Sequence, residues 1–308
     1  MFWNYSHQFF VDLLKKLAPE RAVELDALIK AHGIVFKVDD KSEHHRMEAH
    51  PVSKEIIVGT RSEERLWAYA YTYLGIYDAL SKQKSKDATA PLPDLKPFVE
   101  LLDWAITEDI DSIKAKIMSL ERSSEPMPSD SPKPFVKAGS KLADVAGGLA
   151  LCALAYILLH EIAHIYLGHE KSKGLESVLN EKAADVWAAE WMLSATNLDA
   201  ARRKPRLVGV ALGLLWLLTL EIYFGPKESM THPPTYDRLF QLLDRIVVSE
   251  EGGIDSEGHL VWSFVQVAMA YHMEKAGIPL PIQKQFASFK ELVDNYIDTI
   301  SKIPKRQI

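Results

Sequence analysis

The stretch LLHEIAHIYLGHE, residues 158–170, sets the strongest constraint on how this chain folds. It carries three histidines and two glutamates at the end of an apolar run that reaches back to Val145 without a charge. A helix of that composition is buried, and burying His160, Glu161 and His164 without a shared partner is costly. A metal ion removes the cost. Four residues apart on a helix, His160 and His164 lie on one face, so both imidazoles reach one ion. Glu161 then stands beside the ion, where a carboxylate takes the proton of a zinc-polarised water attacking a carbonyl. The spacing predicts one catalytic Zn2+, with His160 and His164 as ligands and Glu161 as general base.

A catalytic zinc site needs a third protein ligand. His169 is nearest in sequence, but a metzincin places a glycine three and a histidine six residues after the second histidine. Here Gly168 and His169 stand at four and five. Gly168 reads instead as a helix C-terminal glycine with His169 just outside. The stretch NEKAADVWAAEW offers a better third ligand, Glu181, on a second expected helix. Ala184 and Ala188 let that helix come close, and Asp185, one turn after Glu181, is positioned to accept the outer N–H of a ligand histidine.

The rest of the chain reads as mostly helical. Two amphipathic patterns run to about Lys30, and IVFKV at 34–38 and EIIVG at 55–59 are the strand candidates, with EIIVG expected as an edge strand beside the cleft. Helices are expected from Ser62, over 97–118, and then over 142–168, 175–195, 206–224, 232–247, 257–276 and 282–302. The fold class is mainly α with a small β-sheet. An N-terminal region (1–122) and a helical metallopeptidase region (138–308) are expected on either side of a flexible Pro/Ser-rich connection at 123–137. His44, His45 and His50, between the strand candidates, read as a polar loop, because no carboxylate or cysteine spacing supports a second metal site.

Composition excludes some classes of function. A net charge of -6 over 308 residues gives no dense basic surface, so nucleic-acid binding is not expected. The single cysteine, Cys152, forbids an internal disulfide and fits a reducing compartment. MFWNYSHQFFVDLLKKL lacks the layout of a secretory signal, and export is not expected. The uncharged runs 145–159 and 207–220 fall short of the ~18–20 residues of a membrane span and read as core helices. A cytoplasmic protein, membrane-associated at most, is expected.

HEIAH followed by Glu181-x-x-Ala184-Asp185 resembles the gluzincin metallopeptidases and, in its short interval, the ImmA/IrrE peptidases. MTHPPTYDRL, residues 230–239, resembles a segment of HtpX-type membrane peptidases, although those place the glutamate much further along. In length, motif position and helical C-terminal half the chain is similar to the Lit family of bacterial phage-exclusion peptidases. That resemblance implies a zincin-like core and an abortive-infection zinc endopeptidase, triggered by a phage-derived peptide and cleaving elongation factor Tu. It also implies that His232 stabilises the transition state, with Tyr236 and Arg238 as further donors. The alternatives are a repressor-cleaving regulatory protease, a membrane quality-control peptidase and a non-catalytic zinc-binding regulator. The role of Glu221, at the end of an apolar run, is left open.

Overall fold

A helix without a charge from Val145 to Leu159 needs apolar neighbours on every side, and the fold supplies them. The computed structural model describes residues 6–39, 47–59, 61–84, 94–118, 125–132, 134, 140–169, 175–194, 198–224, 233–247, 256–280 and 289–302. In chain order it contains α1 (His7–Leu17), a 3-10 turn (Pro19–Arg21), α2 (Ala22–His32), β1 (Val35–Asp39), β2 (Met47–His50), β3 (Glu55–Gly59), α3 (Ser62–Lys84), α4 (Lys96–Met118), α5 (Lys141–Tyr166), α6 (Leu175–Leu193), α7 (Ala200–Phe224), α8 (Thr235–Val247), α9 (Ser256–Lys275) and α10 (Phe289–Ser301). The protein is mainly helical with one small sheet.

Helix α5 is the axis of the molecule. It packs on α3, α6 and α7, and α1, α2, β2 and β3 also lie against it. Two glycines let α7 come unusually near: a Cβ on Gly209 would stand 2.3 Å from Cβ of Cys152, and one on Gly213 would stand 2.8 Å from Cδ1 of Tyr156. Both α5 and α7, which extend beyond the uncharged runs within them, are long and apolar enough by length and composition to cross a membrane. Their most apolar stretches are nevertheless 72% and 82% buried inside the protein, the position of core helices. Helix α7 also starts six residues before the expected 206. Asp199 Oδ1 accepts the N–H of Arg202 at 2.9 Å, a side-chain cap, so Pro205 lies inside the helix rather than at its boundary.

The sheet has the order β1-β3-β2. β1 and β3 are parallel, pairing Val35 with Glu55 through Asp39 with Gly59. β2 is antiparallel to β3, pairing Met47 with Val58 through His50 with Glu55. EIIVG is thus the central strand, and the edge beside α5 is MEAH, a segment expected to be loop. Every β2 residue is half-buried and none is β-branched, so neither alternation nor propensity marks it as a strand. His50 lies in β2 with its Nε2 3.3 Å from Glu48, while His44 and His45 fall outside the described residues.

Residues on both sides of the 123–137 connection, among them Trp67, Leu101, Tyr156, Leu215 and Val293, join one hydrophobic cluster. The connection is tied down at Glu125: its carbonyl accepts from Arg61 at 3.4 Å and Trp104 at 3.2 Å, and its N–H donates to Glu108 at 3.0 Å. Inside the cluster, Asp109 accepts from Tyr69 at 3.0 Å and Trp216 at 2.7 Å, with Nε of Arg65 3.0 Å away. Nearby, His272 meets the hydroxyls of Tyr73 and Thr219.

Candidate metal centre

Donor groups of three residues converge where α5 meets α6. Nε2 of His160 and Nε2 of His164 are 3.1 Å apart. The Glu181 carboxylate closes the triangle, with Oε2 3.4 Å from His160 and Oε1 3.4 Å from His164. Four ligands at the ~2.0–2.1 Å bonds of a tetrahedral zinc stand about 3.3–3.4 Å from each other. Each of these separations is close to that spacing, although the two histidines meet different oxygens of Glu181, and His160, His164 and Glu181 form a group that can hold a metal ion.

Local structure explains the convergence. One helical turn stacks His160 over His164, with their rings edge to face and centroids 4.7 Å apart. Glu181 and Asp185 repeat that spacing on α6, and Ala184 and Ala188, on the same side of the helix, are fully buried, allowing the close approach. Asp185 reaches behind the first histidine: its Oδ1 is 2.9 Å from His160 Nδ1 and accepts the Tyr156 hydroxyl at 2.8 Å. With Nδ1 set against Asp185, the His160 ring presents its Nε2 edge to the triangle, the side through which it would bind an ion.

The second histidine has a different partner. Helix α5 ends in a Schellman motif: Gly168 has φ 71°, its N–H donates to Ile165 at 3.3 Å, and His169 N–H donates to the carbonyl of His164 at 2.9 Å. That turn folds the His169 ring back, 3.0 Å Nδ1 to Nδ1, against His164. His169 therefore touches a member of the triangle from outside and contributes no atom to it.

Charge follows this arrangement. Burial alone would strip the proton from His160, but the Asp185 and Glu181 carboxylates outweigh it and push its pKa up to about 10. Burial and the neighbouring His160 charge push His164 down to about 3. Burial would raise Glu181, yet His160, Arg238 and His164 hold it down at about 2. Asp185 is held far below the usual range against its burial, by Arg238 and His160. The two carboxylates thus draw positive charge into the triangle, and a divalent cation there answers that demand.

Glu161 points elsewhere. Its Oε2 accepts the backbone N–H of Ala49, on edge strand β2, at 2.6 Å. Burial, partly offset by the His160 charge, pushes its pKa up to about 7. A carboxylate so poised exchanges protons near neutrality, as a general base requires.

Of the donors expected from MTHPPTYDRL, His232 lies outside the described residues. Tyr236 is half-buried against the core. Arg238 is 6% exposed and forks onto Asp185, at 2.7 and 2.8 Å, with Nη1 3.4 Å from Glu181. Glu221 accepts both the N–H and the hydroxyl of Thr235, at 2.7–2.9 Å, and so anchors the start of α8. Sequence reasoning missed Tyr156, although Tyr156, His160 and His164 fall at successive helical turns on one face of α5.

A model of the family described as Peptidase U49 matches residues 56–265, a span that contains every residue of the triangle. The chain is also 27% identical over 297 residues to a protein of Escherichia coli (strain K12) described as a cell death peptidase, across 94% of this chain and 93% of that one. No solved structure matches.

Proposed function

The chain belongs to the peptidase U49 family, and from that premise we propose that it is a zinc-dependent endopeptidase of gluzincin type, with His160, His164 and Glu181 as ligands and Glu161 as general base. The observation that carries the reading is the convergence of two imidazole nitrogens, 3.1 Å apart, with a carboxylate whose two oxygens each lie 3.4 Å from one of them. A structural zinc is normally closed by four protein ligands, often cysteines, whereas this centre offers three among the described residues and leaves a position for water or substrate. When bound, zinc supplies Lewis acidity, polarising the scissile carbonyl and acidifying a water.

The protein's own residues do the rest. Glu161 takes the proton of the attacking water and passes it to the leaving amine, a shuttle suited to a carboxyl group at about 7. Asp185 holds His160 in the tautomer that keeps Nε2 free, and His169 stands in the same relation to His164. In β2, Ala49 directs its N–H away from β3 and onto Glu161, which brings the edge strand alongside the general base, where an extended substrate segment would lie. His232 and Tyr236, flanking the start of α8, supply donors to the oxygen on which negative charge develops.

The Lit-family resemblance and the cell death peptidase relative support an abortive-infection role: cleavage of elongation factor Tu in the cytoplasm when a phage-derived peptide is present. The reducing compartment suits the lone thiol, Cys152, which burial pushes up to about 12 and keeps unreactive. The experiment incubates zinc-loaded protein, and its Glu161→Gln variant, in host lysate with and without phage structural proteins, and reads new protein termini by mass spectrometry. A new terminus in elongation factor Tu is expected only with active protein and phage proteins together, while Glu161→Gln retains zinc but does not cut. Identical termini in the variant contradict the role of Glu161, and no new terminus under any condition contradicts the trigger and target.

A further inference from the structure

We propose that Arg238 is a positioning residue of the metal centre, assembling Glu181 and Asp185 into their working geometry before any ion arrives. The proposal rests on the reading of His160, His164 and Glu181 as a metal site, and assigns Arg238 a part other than donor to substrate.

Two carboxylates one turn apart on α6 and buried to within 6% of full enclosure repel each other, and neither has water to soften the repulsion. Arg238 is the fixed cation between them. Nε donates to Oδ2 of Asp185 at 2.7 Å and Nη2 to Oδ1 at 2.8 Å, a bidentate fork, while Nη1 faces Oε2 of Glu181 at 3.4 Å. That Oε2 is the atom turned toward His160, and Oδ1 of Asp185 is the atom that meets His160 Nδ1 and the Tyr156 hydroxyl. A single planar group thereby fixes one ligand and the partner of another. Lysine, a point charge without a fork, cannot hold both.

The guanidinium is itself held in place. Arg238 lies in the first turn of α8, whose opening residue, Thr235, is bonded through N–H and hydroxyl to Glu221 at the end of α7. The contact therefore joins three helices, α5, α6 and α8, at Asp185.

A nearby positive charge and a positioning clamp act on metal affinity with opposite signs. As a charge alone, Arg238 repels a dication, and its removal tightens binding. As a clamp, its removal frees Glu181 and Asp185 and weakens binding, by about 10- to 100-fold for loss of such an outer partner. Zinc affinity is measured by chelator competition on folded wild-type protein, Arg238→Met and Arg238→Lys, with thermal melting of each metal-free form. Both variants are expected to lose about 10- to 100-fold in zinc affinity, lysine failing to rescue. Tighter zinc in Arg238→Met, wild-type affinity in Arg238→Lys, or lowered melting with unchanged affinity would each overturn the proposal. If Arg238→Met does not fold, the lysine variant decides by itself. Absence of zinc uptake by the wild-type chain overturns the metal-site reading and this proposal with it, whereas zinc-binding wild type with indifferent variants overturns only the proposal.

Discussion

The backbone N–H of Ala49 lies 2.6 Å from Oε2 of Glu161, tying the edge strand of the sheet to the glutamate of the His-Glu-x-x-His helix. Because this N–H faces Glu161, Ala49 is a residue whose polar groups point away from β3, and the ladder with Ile56 does not use them. Ala49→Pro removes this donor and sets the ring against the Glu161 carboxylate, so it is expected to lower the melting temperature and to reduce kcat/KM by about tenfold or more, the worth of one hydrogen bond to a charged group. Unchanged kcat/KM would show that the edge N–H takes no part.

His272 offers a pH test remote from the metal centre. It is 1% exposed against Tyr73 and Thr219, and burial pushes its pKa down from 6.5 to about 3. The unfolded chain therefore binds a proton at this residue that the folded chain refuses. Stability from this group is present above about pH 6.5 and is lost as pH falls toward 3, at up to about 1.4 kcal/mol per pH unit. In urea titrations at about pH 6 and about pH 4, His272→Gln should lose less stability between the two than the wild type. Parallel pH dependence in both proteins would refute the assignment.

Asp109 anchors a second buried polar group, with Arg65, Tyr69 and Trp216 as partners from α3 and α7. Asp109→Ala leaves the Arg65 guanidinium, 1% exposed, without its counter-charge and is expected to cost about 3–5 kcal/mol in urea denaturation. A cost under about 1 kcal/mol would show that the pair contributes no more than a surface salt bridge does.

Much of the centre is legible in the sequence because it is written in helical spacing. His160, His164, Glu181 and Asp185 are each one turn from a partner, and the alanines beside the carboxylates mark a close helix contact. What is not legible depends on long-range pairing. Arg238 meets Asp185 across 53 residues of chain, and Glu221 meets Thr235 across 14 that no motif links. β2 is a strand only because β3 and α5 lie on either side of it. His169 reads as the residue after a helix stop, yet the left-handed Gly168 folds its ring onto His164. The apolar spacing puts the start of α7 at 206, and the capping Asp199 that moves it earlier is a local signal that spacing passes over.

The central claim is that two imidazoles and one carboxylate from α5 and α6 bind a single zinc ion, and elemental mass spectrometry of purified protein tests it most directly. The wild type and Glu161→Gln should each carry one zinc per chain, and Glu181→Ala, folded by circular dichroism, should carry little or none. A wild-type chain without zinc after exposure to the ion, or Glu181→Ala with its full complement, would contradict the account.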